Sequence, residues 1–324
     1  MIRHHRLLYF LALSTLIFSC CLNAPAESLK KLRLQLDWYP DAERGGYVCA
    51  SVNGYYKEAG LEVELFPASP EVGTLATMLA GRADLSLVTS DQAMIARAQG
   101  LPVISVMATM QHDPQGVMVH SESPVKDFSD LEGRSIAVAR GTAWFLYVTK
   151  KYHLTNVREV PLTFSVATFL SDQNYIQQVF VTSEPYVCAQ HHVNVRTLLI
   201  KDTGCDPYRV VAATDQLIAR DPAAIQAFVT ASIKGWQKYL ADPSATDAEI
   251  KKLNPEMTQD LLNFSRKTLI DGHFVSGYPE KGETIGKLDP ARLEAEYKIL
   301  RDLNLITGDY DYTKSYTTQF CGRN

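Results

Sequence analysis

Past its first twenty residues the chain has no uncharged apolar stretch near the roughly 20 residues that a membrane-crossing helix needs, so no later segment is expected to span a bilayer. An excess of either charge is also missing. Against 36 acidic residues stand 32 basic ones, for a net charge of −4, and the Lys and Arg residues are scattered rather than gathered in a stripe. That distribution leaves no footprint for a polyanion, so nucleic acid is not an expected partner. No CxxC pair or His/Cys cluster has zinc spacing, and adjacent His191 and His192 point in different directions on any regular element, so no metal site is expected. The GxSxG elbow, the HExxH helix and the P-loop are absent too, which leaves no argued catalytic residue and no cofactor. The lack of tandem repeats and low-complexity tracts excludes a solenoid or a disordered tether.

What is present begins with a processing signal. Arg3, His4, His5 and Arg6 are followed by the apolar run 7–18 and then by small residues and a proline, the pattern of an export segment removed from the mature chain. Ala24-Pro25-Ala26 gives a signal peptide over 1–26. Leu16-Ile17-Phe18-Ser19-Cys20 gives the competing route, removal of 1–19 and acylation of Cys20 as a membrane-tethered lipoprotein. Both place the protein outside the cytoplasm, in the periplasm or anchored to the membrane that faces it. Cleavage before Glu27 leaves Cys49, Cys188, Cys205 and Cys321. That compartment permits disulfides, with Cys188–Cys205 the preferred pairing if one forms, while buried small thiols are the stronger reading.

From Leu32 short apolar runs alternate with helical stretches, the pattern of an α/β protein. Strands are predicted over 32–36, 61–66, 84–88 and 103–110, with helices over 46–59, 71–80 and 90–99. A second unit is predicted to begin where the rhythm breaks near Val117, with strands over 135–139, 157–162, 178–182 and 197–200 and a helix over 143–152. Residues 209–213 are taken as the return crossing. Asp221-Pro222 and Asp289-Pro290 each place a capping carboxylate before a proline, a strong helix start. The organisation expected is therefore one lobe from 30–117 and 210–324, with 118–209 inserted as a second. Two crossings make a hinge, and ligand contacts are sought at strand ends facing the cleft.

Those strand ends supply the candidate site. Asp37 and Trp38 follow the first strand, the indole as a flat face for a planar ligand and the carboxylate as an acceptor for ring nitrogens or amino groups. Ser90 and Asp91 open a helix where backbone N–H groups are free, although simple capping explains them equally well. Gln111 and His112 follow the fourth strand. In the second unit Thr142 and Trp144 sit at a helix start after Gly141, Glu184 and Tyr186 follow a strand, and Tyr208 lies at the return crossing as a hinge or ligand contact.

With these residues in place the chain resembles the solute-binding family that includes the pyrimidine-precursor binding proteins of thiamine salvage, related to the pyrimidine-precursor synthases. The resemblance rests on "LQLDWYP", "GYVCASVNGYYKEAGLEVEL", "TMLAGRADLSLVTSDQAMIARAQGLPVISVMATMQHDP", "DLEGRSIAVARGT" and "YTTQF", in that order. It implies a two-lobed type II periplasmic-binding-protein fold, a monomer that closes on a small heteroaromatic ligand, and an ABC permease and ATPase as partners. It also implies roles for Trp38, as the aromatic after the first strand, and for Glu184, as an acidic residue of the second lobe. Arg44 stands where many relatives carry a His, the cysteine-rich motif of the synthases is absent, and "QQVFVTSEPYVCAQHH" departs from the thiamine-precursor pattern. Riboflavin, sulfonates and other organic solutes are the alternative ligands. A synthase enzyme and a sensory or structural lipoprotein are the alternative functions.

Overall fold

A computed structural model describes residues 28–68 and 73–321. The export segment and Cys20 lie outside the described residues. In the first lobe the chain runs through β1 (Lys30–Gln35), α1 (Gly45–Val52), α2 (Tyr55–Glu58), β2 (Leu61–Phe66), α3 (Thr74–Leu79), β3 (Leu85–Thr89), α4 (Ser90–Ala98) and β4 (Val103–Met110). It crosses to the second lobe for β5 (Gln115–His120), β6 (Ser135–Val138), α5 (Ala143–Lys151), β7 (Arg158–Pro161), α6 (Ala167–Ser171), β8 (Gln177–Phe180), α7 (Glu184–Gln190) and β9 (Val195–Leu199). It then returns for β10 (Arg209–Thr214), α8 (Asp215–Arg220), α9 (Pro222–Ala241), α10 (Ser244–Leu253), α11 (Gln259–Asp271) and α12 (Pro290–Asp302).

Two five-stranded sheets result, in the orders β2-β1-β3-β10-β4 and β7-β6-β8-β5-β9. Each contains a strand antiparallel to its neighbours, β10 between β3 and β4 and β5 between β8 and β9. These are the two strands that arrive directly from the other lobe. A chain entering from the hinge must run away from it, opposite to strands that end at the cleft. The sheets correct the expected boundaries. Val117 lies inside β5, so a division at 117/118 cuts a strand of the second sheet, and Arg209 opens a strand of the first. The chain passes between the sheets over 111–114 and 200–208.

The expected helix over 46–59 is two helices, because Gly54 adopts a left-handed φ of 74° and interrupts the turn. Both Asp-Pro starts behave as expected: Asp221 accepts from the Ala224 amide at 3.0 Å and Asp289 from the Ala291 amide at 2.8 Å. The main core lies between the first sheet, α1 and α9, where Tyr47, Phe228 and Trp236 are buried. There Gly46 faces the Trp236 ring and Gly235 faces the Gly46 carbonyl, each so closely that an added Cβ would sit at 2.2 Å. Glycine is thus a steric requirement of this helix crossing. Among the described residues no helix is long and apolar enough to cross a membrane.

The Cys188–Cys205 pairing is corrected in favour of the buried-thiol reading: the four cysteines at 49, 188, 205 and 321 are free thiols. Cys188 is buried on α7 beside Met118 and Phe169, whereas Cys205 lies in the return crossing and packs with the α5 side of the lobe. The two belong to different clusters. Burial pushes the Cys188 thiol up to about 11, with the charge of Glu184 adding to the shift.

Candidate functional site

The two crossing segments meet on one carboxylate. Asp206 accepts from the Asp113 amide at 2.9 Å, faces His112 Nδ1 at 2.6 Å and accepts from Arg292 at 3.1 Å. The other ring nitrogen of His112 faces Glu283 at 2.9 Å. Gln111 is buried and donates its amide to the Lys287 carbonyl at 2.9 Å. Ser90 and Tyr208 exchange two hydrogen bonds of 2.9 Å, and the Ser90 hydroxyl donates to Glu296 at 2.8 Å. Tyr208 is buried beneath the Arg292 guanidinium, and its phenol is pushed up to about 12, mainly by burial. Gln111, Ser90 and Tyr208 therefore serve the crossings and their anchorage to α4 and the α12 region.

In front of the crossings a small cavity of about 10 Å³, the size of one water, is lined by Asp37, Glu43, Arg44, Thr109 and Arg209 among others. Arg44 bonds Asp37 at 2.8 Å, Asp41 at 2.9 Å and Glu43 at 3.1 Å. Arg209 reaches Asp37 at 3.4 Å and Asp113 at 3.3 Å, lies over the Phe180 ring at 4.9 Å, and keeps a buried Nε without a partner. Four carboxyl groups thus share two guanidinium groups in a water-poor setting. Burial raises Asp41 to about 6 although Arg44 pulls it back, and burial likewise pushes Glu43 and Asp113 up. Asp37 behaves oppositely: burial opposes its charge, but Arg44 and Arg209 together outweigh it and hold the carboxyl below its usual range.

The lobes touch through side chains around this network. Thr182 Oγ1 meets the Glu43 carboxylate, Ser265 donates to the Thr182 carbonyl at 2.6 Å, and Tyr186 packs on Phe264 of α11 with centroids 5.5 Å apart. Trp38 faces Phe164 of the second lobe at 5.6 Å. Lys150 of α5 donates to the Asp302 carbonyl at the end of α12. A larger cavity, about 230 Å³, lies against the return crossing, where Asp91, Cys205, Arg292 and Glu296 meet Ala143 at the start of α5. Burial pushes both the Asp91 and the Glu296 carboxyls up, and the charge of Asp91 adds to the shift at Glu296.

The remaining sequence candidates fall around these features. Thr142 Oγ1 and Trp144 Nε1 are buried polar atoms without partners at the start of α5, the indole being packed edge-on to Phe145. Glu184 opens α7, where its carboxylate accepts from the Phe180 amide at 3.0 Å and the Ser183 hydroxyl at 2.6 Å, and burial raises it. Neither Trp38 nor Glu184 lines either cavity. Sequence reasoning passed over Glu43, Arg209, Thr182, Phe164 and Glu296, and singled out Arg44 only as a replacement for histidine. A charged residue inside "DAERGG" or opening "RVVAAT" has no local signal of burial. Arg209 and Glu43 gain partners from distant parts of the chain, Asp37 and Asp113 for the one and Thr182 for the other, whereas the carboxylates on Arg44 lie within seven residues of it.

A 25% identical relative over 92% of this chain and 89% of its own length is the riboflavin-binding protein RibY of Chloroflexus aurantiacus. The 4-amino-5-hydroxymethyl-2-methylpyrimidine phosphate synthase THI11 of Saccharomyces cerevisiae is 24% identical, with 90% of this chain and 88% of the enzyme covered. The periplasmic aliphatic sulphonate binding protein SsuA of Escherichia coli superposes with a TM-score of 0.68 at 16% identity, covering 89% of this chain and 92% of that one, and so shares the type II periplasmic-binding-protein fold. The family model described as NMT1/THI5 like matches residues 42–246, which is more than half of the sequence, and the chain belongs to that family.

Proposed function

We propose that this protein is the extracytoplasmic solute-binding subunit of an ABC-type uptake system, that it holds a small heteroaromatic solute between its lobes, and that it hands this solute to a membrane permease without chemical change. The observation that carries the proposal is the hinge. Two short crossings share Asp206, while the lobes otherwise meet through side chains such as Thr182 with Glu43, which can part without breaking any sheet. Ligand would then shift a balance between open and closed forms by binding the closed one better. Asp37, Trp38, Asp91, Thr142, Trp144, Glu184 and Tyr186 are the proposed contacts, with Ser90, Gln111 and Tyr208 supporting them from the hinge. Lobe limits at 111–114 and 200–208, secretion with or without a lipid on Cys20, and a monomeric state complete the proposal.

A pyrimidine precursor of thiamine and riboflavin are the favoured solutes, the first from the resemblance of the motifs and the second from the name of the relative RibY. Mass spectrometry of the molecule released from freshly purified, denatured protein, followed by calorimetry with that molecule, tests the proposal. A stoichiometric heteroaromatic ligand supports it; a protein that binds none of these solutes in calorimetry refutes it. The likeness to THI11 favours a second reading, a synthase. Conversion of a bound precursor by the purified chain alone would establish that reading instead.

A further inference from the structure

We propose that Phe164 is the second-lobe face of a two-sided aromatic clamp which, with Trp38 of the first lobe, takes a planar aromatic ring between the lobes. This rests on the proposed function and narrows it to ligands carrying such a ring.

Three observations carry the inference. Phe164 holds a φ of 55°, in the left-handed region that bulky side chains rarely adopt. Conformations of that kind persist where the surroundings or a function demand them. Nothing in the core demands this one, because Phe164 is 46% exposed and belongs to none of the hydrophobic clusters. Its ring lies instead against the other lobe. There it meets Trp38, with centroids 5.6 Å apart and planes inclined by 36°. Trp38 in turn is half-buried, outside the core clusters, and braced edge-on by Tyr39 at 5.8 Å and 80°.

Two aromatic faces on opposite lobes, each left out of its own core, make a surface that is complete only when both lobes are present. A ring sandwiched between them needs the faces roughly 7 Å apart, twice the usual carbon contact distance. The ring centroids now lie 5.6 Å apart with planes inclined by 36°, so admitting a ring takes a hinge rotation that both separates and aligns the faces. Asp37, next to Trp38 in sequence, points into the charged network. Polar substituents of a clamped ring would be directed there. A flexible aliphatic sulfonate offers neither face a partner.

The test measures affinities by calorimetry for riboflavin, 4-amino-5-hydroxymethyl-2-methylpyrimidine and taurine, using the mature wild-type protein, Phe164→Leu, Trp38→Leu and the variant carrying both changes. Leucine keeps apolar volume and removes the flat face. Support for the clamp requires that wild type bind at least one aromatic probe more tightly than taurine. It also requires that each variant lose about tenfold or more for that probe, that the double variant lose less than the product of the two single losses, and that thermal unfolding of Phe164→Leu stay near wild type. Wild-type binding of an aromatic probe that is unchanged in Phe164→Leu overturns the clamp and leaves solute capture standing. Preference for taurine overturns the clamp by ligand class. Failure of all three probes to bind counts against both proposals.

Discussion

Trp38 and Asp41 lie close in sequence and are held by opposite kinds of physics. Trp38 contributes a rigid, half-buried face that the core does not use, so its truncation should act on binding and leave folding alone. Trp38→Ala is expected to weaken an aromatic ligand by about 1–3 kcal/mol, as truncated aromatic anchors do, with an unchanged unfolding temperature. Calorimetry and thermal denaturation read the two effects separately. Asp41 is held by charge in a buried setting. Its carboxyl is raised from 3.8 to about 6, so the folded protein takes up a proton that the unfolded chain releases between those values. The stabilisation from this group is therefore complete below pH 3.8 and is lost as pH rises through 6. Wild type should lose stability relative to Asp41→Asn between pH 4 and 6.5 by on the order of 2 kcal/mol. Urea unfolding of both proteins across that range checks the sign; parallel curves would remove Asp41 as its source.

At the scale of elements, the contact of α1 with α9 depends on missing side chains. A methyl group on Gly46 would overlap the Trp236 ring, one on Gly235 would overlap the Gly46 carbonyl, and both neighbours are buried. Gly46→Ala should cost about 3 kcal/mol, at the upper end of overpacking penalties, seen as a lower urea midpoint. An unchanged midpoint would mean that the helices can separate freely. This scale is also where the sequence was most legible. β2 and β4 fall at their predicted limits and α9 and α12 begin at their Asp-Pro starts, because period and punctuation are local properties. β5 and β10 were harder to see. "QGVMVH" and "RVVAAT" sit at the crossings, and every residue they pair with on β8 and β3 is more than 50 positions away in the sequence. The same remoteness hid part of the site: the carboxylates on Arg44 are its near neighbours in sequence, but the approach of Arg209 to Asp37 and of Thr182 to Glu43 exists only after folding.

For the whole molecule, Asp206 is where both crossings are tied. Asp206→Ala would leave the Asp113 amide, His112 and Arg292 without their common acceptor in a mostly buried setting. A stability loss of about 3 kcal/mol is expected. X-ray scattering should also show a larger mean radius in the absence of ligand, since the crossings no longer share an anchor. Retention of the wild-type radius and unfolding midpoint would show that the lobes are positioned by their facing side chains alone.

The insertion of β10 between β3 and β4 also sets an order of assembly. A chain emerging N-terminus first presents β1 to β4 with a gap where the central partner belongs, and that gap is filled only after residue 209 appears. The second lobe, whose strands all lie between 115 and 199, has its complete set earlier. The half that starts the polypeptide is therefore the one that finishes last, and until then its unpaired strand edges need shielding from other chains.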